Sequence, residues 1–79
     1  MHYVYILRSE TTGRRYYGST RDLRKRFTDH NAGQSFHTRK ERPWRVVWYA
    51  AFSTKALAES FETYLKSSSG HGFSRKRLL

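Results

Sequence analysis

From His2 to Arg8 the chain reads His-Tyr-Val-Tyr-Ile-Leu-Arg, a β-branched, aromatic and aliphatic run that suits a strand buried on both faces. The polar cluster Ser9-Glu10-Thr11-Thr12-Gly13 follows, so Arg14 to Ser19 is predicted to return as the hairpin partner. This pairing constrains the fold more than anything else in the sequence, because a doubly buried strand needs neighbours beside it and a layer above and below.

The rest of the chain supplies them. Ser19 with Asp22 three residues on predicts a capped helix from about Thr20 to Ala32, stopped at Gly33. Gln34 to Pro43 is a polar, basic loop, and Arg45 to Phe52 reads as a third strand, again apolar on both faces. Ser53 or Thr54 caps a second helix to about Ser67, and Ser74 to Leu79 is expected to form one more helical turn. The order β-β-α-β-α describes an α/β (α+β) sandwich, a three-stranded, mainly antiparallel sheet flanked by helices. A chain of 79 residues is read as one domain over 1–79. A domain this short buries only about 60% of its unfolded surface. Its two Trp, six Tyr and five Phe offset that through the area each can bury.

Composition then narrows the chemistry. The absence of cysteine excludes disulfides and thiolate zinc sites. The first apolar run is too short for a signal peptide or a membrane span, so a cytoplasmic protein without a membrane partner is expected. Sixteen Lys and Arg against six Asp and Glu give a net charge of +10, which attracts polyanions and points to nucleic acid as the partner. Arg14, Arg15, His37, Arg39, Lys40 and Lys66 are the candidate contacts. Phe36 and Trp44 are aromatics that could stack unpaired bases or pack in the core.

On a helical wheel with Leu23 at zero, Phe27 falls at about 40°, Arg26 at about −60° and His30 at about −20°. Arg26 and His30 therefore flank the apolar stripe of the first helix, while Arg24 and Lys25 lie on its solvated side. In the second helix, Leu57, Phe61, Tyr64 and Leu65 form the stripe. Glu62 lies at its border and Glu59 round the back. Glu62 and Lys66 also make a plain i,i+4 pair, worth about 0.2–0.5 kcal/mol. The six carboxylates are scattered, which excludes the converging cluster of a two-metal phosphodiesterase. A single hard cation held by one carboxylate, water and substrate phosphate remains open.

Tyr3-Val4-Tyr5, Tyr16-Tyr17-Gly18, Arg26, His30 and Glu62, in that order and spacing, resemble the GIY-YIG nuclease superfamily. Tyr3 and Val4 stand where the family name has Gly and Ile, and Tyr17 replaces the second Ile. The segment Ala58 to Lys66, with Trp44 and the later Ser-Gly-His-Gly-Phe, is similar to stand-alone bacterial members related to the GIY-YIG nuclease module of excinuclease ABC. The resemblance implies a metal-dependent endonuclease that hydrolyses phosphodiester bonds in nucleic acid, DNA in preference to RNA, alone or within a larger repair or processing complex. Glu62 would bind a single Mg²⁺ or Mn²⁺, and Arg26 would hold the scissile phosphate. Tyr5 or Tyr16, assisted by His30, would orient or deprotonate the attacking water, and Gly18 would serve the motif structurally. The alternative is a non-catalytic DNA- or RNA-binding protein that keeps the fold and the basic face.

Overall fold

In the computed structural model, which describes residues 1–67, the first two strand-like runs close as the expected hairpin. Strand β1 (His2–Ser9) pairs antiparallel with β2 (Arg15–Thr20), from Tyr3 opposite Thr20 to Arg8 opposite Arg15. Ser9 ties the turn, its hydroxyl oxygen accepting from the amides of Thr11 and Thr12 at 3.2 and 3.1 Å. Gly13 takes the left-handed φ of 77° that lets the chain reverse. Strand β3 (Trp44–Phe52) adds to the other side of β1, also antiparallel, so the sheet order is β2-β1-β3.

Because β1 is central, Val4 to Leu7 are all buried. Alternation along the strand sends Val4 and Ile6 to one face and Tyr5 and Leu7 to the other. Helix α2 (Lys55–Lys66) brings Ala58, Phe61 and Leu65 to the first face, where Tyr17, Trp48 and Phe52 complete the layer. Helix α1 (Leu23–Ala32) brings Leu23 and Phe27 to the second, against Tyr5, Leu7, Tyr16, Trp44 and Val46. The architecture is thus the α+β sandwich that the sequence predicts, with one helix per face.

Three local expectations change. The cap of α1 is Asp22, whose carboxylate accepts from the Lys25 amide at 3.1 Å, and the helix starts at Leu23. Ser19 is held extended in β2 opposite Val4 and so cannot cap. Gly33, at φ 83°, ends the helix as expected. Strand β3 is an edge strand and is not buried on both faces: Tyr49 is 57% exposed and Ala51 is also exposed. On α2, Thr54 is the cap, and the buried stripe centres on Ala58, Phe61 and Leu65, while Leu57 and Tyr64 face outward. The expected C-terminal turn at Ser74 to Leu79 lies outside the described residues.

The loop between α1 and β3 is less open than its composition suggests. The Asn31 amide clamps the backbone of Trp44, accepting from its N–H at 2.6 Å and donating to its carbonyl at 3.0 Å. The Trp44 indole N–H donates to the Thr38 carbonyl at 2.8 Å. Thr38 is thereby drawn into the interior, just ahead of a short 3₁₀ turn at Arg39–Glu41.

Candidate active site

The strand register sets Tyr5 opposite Gly18 and Leu7 opposite Tyr16, so both tyrosines and the glycine share the face covered by α1. Gly18 is extended backbone; among the described residues the positive-φ positions are Gly13 and Gly33. Space is what requires it: a Cβ there would lie 2.5 Å from the Tyr5 hydroxyl and 2.6 Å from Cζ. The phenol of the central strand therefore lies across the bare backbone of the edge strand.

On the helix side, His30 completes a buried relay. The Tyr5 hydroxyl lies 3.1 Å from His30 Nε2, and His30 Nδ1 lies 2.7 Å from the Thr38 hydroxyl. The Arg26 guanidinium lies beside the hydroxyls of both Tyr5 and Tyr16, within reach of donating to them. Arg26 can only donate, so the phenolic proton of Tyr5 needs another acceptor, and Nε2 provides one. That assigns Nδ1–H as the donor to Thr38. The Tyr16 ring stands edge-on to the imidazole at 5.0 Å between centroids and is 6.4 Å from the Tyr5 ring.

Electrostatics follow from this geometry. Burial pushes the Tyr5 phenol up to about 12, although the Arg26 guanidinium pulls the other way. The Tyr5 hydroxyl oxygen, as acceptor, raises Arg26 further above an already high value. Burial lowers His30, helped by the Arg26 charge and opposed by Asp29. Near neutrality the relay is therefore uncharged, with the cation at its mouth. Arg26 itself is exposed, and the ion pairs among the described residues (Arg14–Glu41, Lys25–Asp29, Arg45–Glu10, Lys55–Glu59, Lys66–Glu62) leave it out.

Glu62 approaches from α2. Its side chain is 19% exposed against 58% for Glu59, and its charge adds to the upward push on Tyr5. It accepts from Lys66 Nζ at 2.7 Å, so the plain i,i+4 pair is present as well. Among the described residues no three of His, Cys, Asp and Glu converge. A lone, half-buried carboxylate on a strongly basic chain fits a hard divalent ion that keeps most of its waters, and does not fit zinc.

The structure thus brings together Tyr5, Tyr16, Gly18, Arg26 and His30, while Glu62 stands on the helix of the opposite sheet face and bears on Tyr5 through its charge alone. His37 is exposed against Phe36, and its neighbour Thr38 is the residue that reaches the relay. Thr38 is not legible in the sequence: a threonine in a polar loop carries no pattern, and only the Trp44 and Asn31 contacts draw it inward. Of the basic candidates, Arg14 pairs with Glu41 at 3.5 Å and Lys66 with Glu62, while Arg15 and Lys40 are exposed. Arg39 stacks its guanidinium 4.9 Å from the centroid of Phe36, which is 72% exposed. Trp44 is buried and cannot offer its ring to a base in this conformation.

The two tyrosine strands, the helical arginine and the three-stranded sheet define a class, and the chain belongs to it: it is a member of the GIY-YIG family, whose catalytic domain matches residues 1–76. That is a family of endonucleases that generally use a divalent metal. Within the family the chain is similar to UPF0213 proteins. It is 35% identical over 79 residues to that of Staphylococcus saprophyticus, covering 99% of this chain and 89% of that protein. With that of Clostridium perfringens the identity is 39% over 67 residues, covering 84% and 71%. The solution NMR structure of the UPF0213 protein from Bacillus halodurans superposes with a TM-score of 0.58 at 32% identity, covering 98% of this chain and 85% of that one. No helix among the described residues is long and apolar enough to cross a membrane.

Proposed function

We propose that this protein is a single-domain, divalent-metal-dependent endonuclease that cleaves phosphodiester bonds in nucleic acid, DNA in preference to RNA. The observation that carries the reading is Arg26: an exposed guanidinium that lies beside two phenols and, among the described residues, pairs with no carboxylate, on a chain of net charge +10. A cation oriented by neutral partners keeps its charge for an incoming phosphate, which its planar fork meets with two parallel hydrogen bonds.

The roles then divide by environment. Arg26 holds the scissile phosphate and the charge that develops on it. Tyr5, buried and pushed up to about 12, stays protonated near neutrality and positions Arg26 and His30. Tyr16 is half-buried, lies beside Arg26, and is the phenol that water reaches, so it orients the attacking water through its hydroxyl. His30, held by Thr38, fixes Tyr5. Glu62 is the residue that would hold the metal ion, which when bound supplies positive charge to the leaving oxygen.

The test is cleavage of end-labelled single- and double-stranded oligonucleotides with Mg²⁺, with Mn²⁺ and with chelator. Glu62→Ala is expected to abolish metal-dependent cleavage while binding stays intact or tightens slightly, because a negative charge leaves a basic site. Glu59→Ala is expected to be silent in both assays. Equal loss in the two variants contradicts the assignment of the metal ligand.

A further inference from the structure

A second concavity lies on the opposite side of α1 from the tyrosine–arginine cluster. With Leu23 at zero on the helical wheel, Arg26 falls at about −60° and Arg24 at about +100°, on opposite flanks of the half-buried Leu23–Phe27 stripe. The Arg24 flank faces β3, and there α1 and the strand leave a groove of about 490 Å³, within the ~300–1,000 Å³ span of small-ligand sites. Its apolar surface comes from Tyr3, Leu23, Phe27 and Tyr49, and its rim carries Arg21 and Arg24.

Three features make this groove more than leftover space between two elements. Tyr49, on the edge strand and opposite Tyr5 in the register, is 57% exposed with its ring 6.4 Å from that of Tyr3, so a broad aromatic face stands open to solvent. Arg21 and Arg24 are both exposed and take part in none of the ion pairs among the described residues. The one carboxylate nearby, on Asp22, is engaged by the Lys25 amide at 3.1 Å as the helix cap. An aromatic surface below two unpaired guanidiniums is complementary to a flat ring that carries a phosphate. A duplex stacks its base faces against one another and leaves none free for Tyr49 to stack on. An unpaired strand offers both parts at once.

We propose that this groove binds an unpaired nucleotide of the substrate strand, its base stacked on Tyr49 beside Tyr3 and its phosphate held by Arg21 and Arg24. A strand engaged at Arg26 reaches the groove by passing the N-terminal end of α1, just ahead of which Arg21 stands. The protein is then selective for single-stranded segments or duplex junctions without reading sequence, because every base has a stacking face. The inference rests on the nuclease reading only in calling the ligand a substrate; binding itself is independent of cleavage.

The test is therefore equilibrium binding in chelator, by fluorescence anisotropy, of a short oligothymidylate, the matching oligouridylate and a blunt duplex. Tyr49→Ala is expected to weaken single-strand binding by about five- to a hundredfold, the span of one stacked base, and to leave duplex binding unchanged. Tyr49→Phe keeps the ring and is expected to bind within about twofold of wild type. Arg24→Ala should weaken single-strand binding and lower its log–log salt slope by about 0.7, one neutralised phosphate. A Tyr49→Ala loss on oligothymidylate alone assigns the groove to DNA, on oligouridylate alone to RNA, and on both to the base face they share. Equal losses on duplex and single strands, or no loss on either single strand, overturn the proposal. Photocrosslinking of an iodouracil-bearing single strand to the wild-type protein checks the contact without substitution: a crosslink at Tyr49 supports it, and crosslinks confined to other residues overturn it. Wild type that binds single strands through Tyr49 but cleaves nothing removes the nuclease reading and leaves the groove in place. Metal-dependent cleavage indifferent to Tyr49→Ala in rate and affinity does the reverse.

Discussion

Gly18→Ala tests whether the Tyr5 phenol truly lies across the edge strand. In an ordinary strand interior, alanine for glycine stabilises by about 0.5–1 kcal/mol, because less backbone entropy is lost on folding. Here the new methyl would meet Tyr5 Oη at 2.5 Å and Cζ at 2.6 Å, closer than any real Cβ contact, with Cε1 at 3.1 Å. Tyr5 is 1% exposed and central, so it cannot swing into solvent to relieve the overlap. Overpacking of this kind costs about 1–3 kcal/mol, and displacing the hydroxyl from His30 puts about 1 kcal/mol more at risk. The net expectation is a loss of about 1–3 kcal/mol, which for a domain of this size lowers Tm by roughly 5–20 °C. The second arm of the cycle decides the cause. Tyr5→Leu removes all three clashing atoms, so in that background Gly18→Ala should change sign and stabilise slightly. Urea denaturation of the four proteins measures the coupling. A Gly18→Ala protein as stable as wild type, or the same penalty with leucine at position 5, refutes the reasoning.

The remaining predictions concern the relay. With the Tyr5 phenol at about 12 when folded and near 10.0 when unfolded, the unfolded chain loses this proton first, so the contribution of Tyr5 is intact below pH 10 and lost as pH rises through about 12. Over that window wild type should lose about 2–3 kcal/mol more stability than Tyr5→Phe, a difference read by denaturation against pH, and parallel curves contradict it. Thr38→Val keeps the shape but strips the partner from His30 Nδ1, leaving a buried N–H unsatisfied at a cost of about 1–3 kcal/mol. Thr38→Ser should restore most of it in the same denaturation series, and a Val variant as stable as wild type removes Thr38 from the relay.

The sequence disclosed the fold wherever short-range patterns controlled it. The run from His2 to Arg8 could only be a central strand, and Gly33 could only end the helix before it. Errors fell where tertiary contacts chose between locally equivalent options. Ser19 and Asp22 are both good caps, and pairing with Val4 withdrew Ser19 from the contest. Arg45 to Phe52 has the composition of a buried strand, yet sheet order placed it at an edge, with Tyr49 exposed. On α2 the apolar residues span more of the helix than the sheet covers, so composition could not tell Ala58 from Leu57. Tyr5, Tyr16, Arg26 and His30, grouped by the wheel and the tyrosine spacing, lie together in space, whereas Glu62 stands on the other helix against Lys66. The steric reason for Gly18 and the inward turn of Thr38 depend on contacts across strands and loops that no local pattern records.

Arg26→Lys, assayed by single-turnover cleavage and equilibrium binding on the same oligonucleotide, tests the role of Arg26 most directly. Lysine keeps the charge but loses the planar fork that Tyr5 and Tyr16 position. A clamp on the scissile phosphate predicts a fall in cleavage rate of roughly 10²–10³, the order seen when one preorganised charge-stabilising donor is removed. Affinity, spread over many backbone contacts, should change by less than about threefold. Small, parallel changes in rate and affinity, or wild-type protein that cleaves no strand form with Mg²⁺ or Mn²⁺, would contradict the catalytic reading and leave a nucleic-acid-binding protein built on this fold.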